Sequence, residues 1–150
     1  MMPLANLLAL LNIASESQVQ ITDLAIDSRK VQSGALFFAY PGAVADGRDF
    51  IAQAQAAGAV AVLYDAAGFE LPQEIAIPAF SVANLQHQVG RIAHEFFGRV
   101  CDEMQIFGVT GTNGKTTCCY LLTQALGELG LQAAMIGTCL LYTSPSPRDS

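Results

Sequence analysis

The chain has 150 residues, 52% apolar and 13% charged, with seven Lys and Arg against thirteen Asp and Glu for a net charge of −6. This composition supports a packed core and excludes a charge-solvated disordered chain, and its acidic balance argues against affinity built on neutralising a nucleic-acid backbone. The length suits one domain, or one small domain plus part of another.

Residues 1–104 carry five basic and eleven acidic side chains, whereas beyond them Lys115 and Arg148 balance Glu128 and Asp149. A domain boundary is therefore expected near 104. Cys101, Cys118, Cys119 and Cys139 lack C-x-x-C spacing and the density of a disulfide scaffold, so they read as reduced thiols of a cytoplasmic protein. The apolar start, Met1 to Ala14, precedes the first basic residue, Arg29, and so lacks the positive flank of a secretory signal. No apolar run has the length of a membrane span.

Leu4, Leu7, Leu8 and Leu11 recur at helical spacing and predict a short amphipathic opening helix. Ile21 to Ile26 alternates weakly and runs into Asp27-Ser28-Arg29. The apolar run Ala35 to Tyr40, closed by Pro41-Gly42, reads as a buried strand ending in a turn. Asp46-Gly47 is a turn signal, and Arg48 with Asp49 reads as a solvated turn pair. Good helix formers from Phe50 to Ala57 stop at Gly58, and Val60 to Tyr64 follows as a strand, which together suggest a βαβ unit. A last short strand spans Ala79 to Val82. Asn84 could cap a helix whose stripe is Val89, Ile92, Ala93, Phe96 and Phe97 before Gly98. His87 and His94 lie seven apart on it without a third ligand, so capping or surface roles are expected rather than a metal site.

After a short polar linker, Gln105 to Val109 reads as a strand, about Lys115 to Leu129 as a helix stopped by Gly130, and Gln132 to Ile136 as another strand. Leu122, Ala125, Leu126 and Leu129 would form that helix's buried stripe. No internal repeat is visible. The expected class is α/β: a small domain over 1–100, then the opening strand, loop, helix and strand of a second domain over 105–138. The segment 139–150 carries two Ser-Pro steps, which suit neither helix nor central strand and predict a disordered tail. The string also resembles translated sequencing-adapter read-through, the preferred explanation, and no function rests on it.

Gly111-Thr112-Asn113-Gly114-Lys115-Thr116-Thr117 lies between a predicted strand and a predicted helix, where a phosphate-binding loop belongs. Glycines at 111 and 114 would let backbone N–H groups turn toward phosphate oxygens, and the helix start favours negative charge. Lys115 could reach the β- and γ-phosphates as the catalytic cation, and the Thr116 hydroxyl is placed to ligate Mg²⁺. The expected ligand is ATP or GTP with magnesium. The general pattern places glycine where Val109 stands, and Gly108 comes one residue early. Cys118 and Cys119, in the next helical turn, are assigned to packing.

The run Gly108 to Thr117 resembles the ATP loop of the Mur ligases, whose loop commonly lacks that first glycine. Upstream, Asp27-Ser28-Arg29, Val31, Gly34, Leu36-Phe37, Pro41-Gly42 and Asp46 to Phe50 resemble the uridine-nucleotide-binding domain of the same family. The resemblance spans roughly residues 20 to 138. It implies an α/β UDP-sugar-binding domain followed by a P-loop ATPase domain, with ATP and Mg²⁺ as cofactors at residues 111–117. Ile26, Ser28, Ala43, Val44 and Ala45 match places that contact the UDP-sugar, and the last three, being small and apolar, would bind through backbone. Without the resemblance, Ser28 would read as a turn cap.

What the resemblance implies is the ligase that adds the third amino acid, meso-diaminopimelate or L-lysine, to UDP-MurNAc-L-Ala-D-Glu through an acyl phosphate in peptidoglycan synthesis. It would be a cytoplasmic enzyme, monomeric when complete, with small-molecule partners and no nucleic acid. The amino-acid pocket would lie beyond residue 150, so the polypeptide as given is expected to be inactive. A D-Ala-D-Ala-adding ligase, a folylpolyglutamate synthetase and a non-catalytic nucleotide-binding module remain as alternatives.

Overall fold

The structure, a computed structural model, describes residues 1–137 and the backbone of 141–143. It divides into two compact units, Met1–Met104 and Gln105–Ser150.

In the first unit, β1 (Met2–Pro3) pairs antiparallel with β2 (Gln20–Ile21), and α1 (Leu4–Leu10) runs between them. The main sheet is four parallel strands in the order β3 (Asp23–Ala25), β4 (Ala35–Ala39), β5 (Ala61–Tyr64) and β6 (Ala79–Ser81). Leu24 lies opposite Leu36, Phe37 opposite Val62, and Val62 opposite Ala79. Helix α2 (Ile51–Ala56) connects β4 to β5, and α3 (Leu85–Phe96) follows β6.

Strand β4 explains the layering. All five of its residues are buried, as expected of a parallel strand covered on both faces. Leu36 and Phe38 point into a cluster with Leu4, Leu7 and Leu8 of α1 and Leu85 and Ile92 of α3. Ala35, Phe37 and Ala39 point the other way, onto Ile51 and Ala54 of α2. Period-two alternation thus gives a three-layer arrangement, with α1 and α3 on one face and α2 on the other. Each fully buried Leu, Ile or Phe contributes about 1.5–3 kcal/mol relative to exposure.

Two details of α3 depart from the sequence expectation. Asn84 adopts a left-handed conformation (φ 52°) and makes no side-chain cap. The Leu85 N–H donates instead to Asp65 Oδ2 at 3.3 Å, so a carboxylate at the end of β5 serves the helix start. Phe97, placed on the buried stripe by periodicity, is exposed because the helix has ended at Phe96. His94 Nε2 lies 3.2 Å from Asp102 Oδ1, and Arg99 Nε donates to Asp102 Oδ2 at 3.0 Å.

The second unit has far less interior. Helix α4 (Lys115–Glu128) ends at Gly130 (φ 76°), and β7 (Ala134–Ile136) pairs antiparallel with β8 (Leu141–Thr143). Among its described residues only Thr123 and Met135 are buried. The predicted strand 105–109 is not a strand, and Ile106 and Phe107 are exposed, because no described strand offers it a ladder. The predicted stripe of α4 is not buried either: Leu122, Ala125 and Leu129 are exposed and Leu126 is half-buried. The expected tail 139–150 contains the strand 141–143, and its other residues lie outside the described residues. Among the described residues no helix is long and apolar enough to cross a membrane.

Candidate functional site

In a parallel sheet every strand ends at the same edge, and ligands of open α/β sheets bind outside those carboxyl ends. The turn carrying Ile26 and Ser28 leaves the end of β3, and the loop carrying Ala43, Val44 and Ala45 leaves the end of β4, its direct neighbour. The sheet therefore brings these five residues to one edge.

Their surroundings differ. Ser28 is buried, and its Oγ donates to Gln53 Oε1 of α2 at 2.9 Å. With its proton committed to Gln53, the hydroxyl presents acceptor lone pairs to any ligand. Ile26 is exposed beside it. The loop after β4 is a projecting finger: Pro41 and Asp46 form an antiparallel bridge, and the Gly42 N–H donates to Ala45 O. The Gly47 N–H donates to Tyr40 O at its base. Ala43, Val44 and Ala45 are all exposed at the tip, and with apolar side chains they offer only backbone groups and van der Waals surface.

Two Asp-x-Arg turns flank these segments. Asp27 accepts from the Arg29 backbone N–H at 3.0 Å and from its guanidinium at 2.9 and 2.7 Å. These hydrogen bonds hold the Asp27 carboxyl down to about 2 and push the Arg29 guanidinium up. Asp46 repeats the pattern with Arg48, whose hydrogen bonds to it hold its carboxyl below the usual range against desolvation. Arg48 is thus partnered with Asp46 rather than Asp49, and its side chain is only 11% exposed, not solvated. Gln53 and the interior position of Arg48 were missed in the sequence because their partners lie far along the chain. The repeated Asp-x-Arg spacing was the available signal.

A cleft of about 250 Å³ opens where β6 ends, on the opposite side of the sheet order from β3, lined in part by Leu11, Asn12, Val82, Gln88 and Arg91. None of the predicted site residues lines it.

The second unit carries the other predicted residues. Gly111 (φ 152°) and Gly114 (φ 76°, ψ −1°) adopt conformations that side-chain-bearing residues avoid, and Gly114 is the N-cap of α4. The Cys118 N–H donates to Gly114 O, the first bond of the helix, and the N–H groups of the preceding helical residues have no intrahelical acceptor. Lys115 Nζ folds over the turn and donates to Gly111 O at 2.6 Å and Thr112 O at 3.5 Å. Residues Gly111, Thr112, Asn113, Gly114, Lys115, Thr116 and Thr117 are all exposed. Cys118 is exposed and Cys119 half-buried, so the former is not packed as expected. The loop therefore gathers one ammonium group, threonine hydroxyls and helix-start N–H groups in one accessible turn, a set suited to an anion.

No group of three or more His, Cys, Asp or Glu that could hold a metal occurs among the described residues. A magnesium ion at this loop would take the Thr116 hydroxyl as protein ligand. That fits the habit of Mg²⁺ of keeping waters and borrowing phosphate oxygens rather than filling a protein cage.

Comparison with known proteins adds family context. A family model described as "Mur ligase family, catalytic domain" matches residues 20–97, just over half of the chain. The UDP-N-acetylmuramoyl-L-alanyl-D-glutamate--2,6-diaminopimelate ligase of Coxiella burnetii is 44% identical over 135 residues, covering 90% of this chain and 28% of that protein. The ligase of the same name from Solibacter usitatus is 45% identical over 122 residues, covering 81% and 24%. Among solved structures, a ligase of that name matches with TM-score 0.65 at 26% identity over 91% of this chain and 28% of that one. The MurF ligase of Thermotoga maritima in complex with ADP matches with TM-score 0.54 at 27% identity over 73% and 24%. The chain spans about a quarter of the length of these relatives.

Proposed function

Since the chain belongs to the Mur ligase family, we propose that it is the N-terminal portion of an ATP-dependent amide ligase that adds meso-diaminopimelate to UDP-MurNAc-L-Ala-D-Glu. The first unit binds the UDP-sugar through Ile26, Ser28 and the backbone of Ala43, Val44 and Ala45. The second unit opens the ATPase domain, with Gly111, Thr112, Asn113, Gly114, Lys115, Thr116 and Thr117 around the phosphates.

The observation that carries this reading is the convergence of Ser28 and the 43–45 finger at the carboxyl edge of neighbouring parallel strands. The names of relatives at 44 and 45% identity support diaminopimelate over lysine as the amine. The same names support the tripeptide-forming reaction over the D-Ala-D-Ala addition.

The chemistry follows from the loop. The γ-phosphoryl group of ATP passes to the terminal carboxylate of the dipeptide, giving ADP and an acyl phosphate. The amine then attacks the acyl carbon, forming the amide and releasing inorganic phosphate. Lys115 leaves its loop carbonyls for the phosphate oxygens, where an ammonium group offsets charge as the phosphoryl group moves. The N–H groups at the start of α4 orient the same oxygens. Thr116 would hold magnesium on this chain, and the ion would supply further neutralisation of the triphosphate. The enzyme so assembled is cytoplasmic and monomeric and acts on small molecules.

Calorimetric titration of the chain with UDP-MurNAc-L-Ala-D-Glu tests the reading. Saturable binding that weakens in Ser28→Ala is expected. Absence of binding by a chain shown to be folded by circular dichroism overturns it.

A further inference from the structure

The finger Pro41 to Asp46 carries three exposed apolar residues and is closed by few hydrogen bonds of its own. A segment of this kind loses conformational freedom when it binds, so whatever fixes it beforehand raises affinity. At its base stands Arg48. Its Nε and Nη2 hold both carboxylate oxygens of Asp46, with distances from 2.7 to 3.1 Å. Its Nη1 donates to Asp65 O at 3.1 Å and Ala67 O at 2.7 Å, on the segment following β5. The guanidinium also lies 5.1 Å from the centre of the Phe69 ring.

The second Asp-x-Arg turn provides an internal contrast. Arg29 grips Asp27 with the same backbone and side-chain bonds, but it is 81% exposed and its hydrogen bonds end on Asp27. The turn itself therefore needs no second anchor. Arg48 has one, because a planar fork can hold a carboxylate with one edge and two carbonyls with the other. Asp65 extends the tie, its Oδ1 accepting from the Ala67 N–H and its Oδ2 from the Leu85 N–H at the start of α3.

We propose that Arg48 is a positioning residue for the UDP-sugar: it ties the root of the 41–46 finger to the 65–67 segment and so holds Ala43, Val44 and Ala45 ready for the ligand. This rests on the UDP-sugar reading of the edge. Lysine cannot replace it, since a single ammonium group does not span Asp46 and both carbonyls.

The test combines amide hydrogen exchange with titration on the 150-residue chain. In Arg48→Ala, exchange at Gly42 and Gly47, whose N–H groups close the finger, is expected to accelerate while amides of β4 and β5 stay protected. Arg29→Ala is expected to leave the finger's exchange unchanged. Affinity for UDP-MurNAc-L-Ala-D-Glu is expected to fall on the order of tenfold in Arg48→Ala. Should that variant not fold, Arg48→Lys serves, with the same faster exchange and weaker binding at a melting temperature near that of the unsubstituted chain. Unchanged exchange at Gly42 and Gly47, or unchanged affinity despite faster exchange, overturns the proposal. Failure of the unsubstituted chain to bind would strike the UDP-sugar reading instead, and the exchange arm alone would then decide whether Arg48 holds the finger.

Discussion

Strand β4 and helix α4 are both rich in apolar residues, yet they meet opposite fates. Ala35 to Ala39 are buried on both faces, whereas Leu121, Leu122 and Leu129 of the α4 segment remain exposed. The difference lies in their neighbours. Strand β4 has a strand on either side and helices above and below it, while among the described residues α4 packs chiefly against β7. Apolar pattern announces which face seeks cover, and only neighbouring segments supply it. The two units thus separate what a motif needs, a local turn, from what a core needs, several segments at once.

Substitution of one buried side chain is the severest way to probe that contrast. Phe38→Ala should destabilise the first unit by about 3–5 kcal/mol, because a fully buried ring leaves a cavity. Chemical denaturation followed by circular dichroism reads this, and a loss below about 1 kcal/mol would show that the sheet does not pack as described. Next comes Lys115→Ala, introduced into the chain extended to the length of its relatives. Turnover should drop on the order of 10²–10³-fold. Binding of the UDP-sugar and stability of the first unit should be unaffected, and unchanged turnover would remove the phosphate-loop assignment.

A gentler probe lies on the other side of the comparison. Leu129→Ala should change stability by no more than about 0.5 kcal/mol, since its side chain is largely exposed. A clearly larger loss would reveal packing in the second unit and weaken the contrast.

The smallest effect concerns Asp27. Its folded-state value of about 2 lies below the ordinary 3.8, so its contribution to stability is present above 3.8 and fades as pH falls toward 2. Acid unfolding of Asp27→Asn should therefore differ from the unsubstituted chain by an amount that shrinks only within that window. Because the pair is exposed, the difference will be slight. A difference that persists below the folded value would contradict the assignment.

Much was legible before any tertiary structure. The unbroken run at 35–40 marked a strand covered on both faces, and Leu4, Leu7 and Leu8 marked the inner face of the first helix, because burial demands are written as local periodicity. Gly114-Lys115-Thr116 announced a helix start at a glycine turn, since backbone conformation there is a local property. The expected strand at 105–109 and buried stripe on α4 were not realised, because both require partners that periodicity does not name.

The βαβ unit of β4 and β5 was legible in the sequence, but the placing of β3 beside β4, and hence the shared edge of Ser28 and the 43–45 finger, was decided by tertiary structure. So were the bond from Ser28 to Gln53, the reach of Arg48 to Asp65 and Ala67, and the service of Asp65 to the start of α3. Each joins groups between seventeen and twenty-five positions apart. Sequence by itself determined the local turns, the apolar faces and the charge balance, since these depend on residues a few positions apart. Which faces meet, and which polar groups complete one another, depended on how the whole sheet stacks, because hydrogen bonds between distant segments form only once their backbones have been brought together.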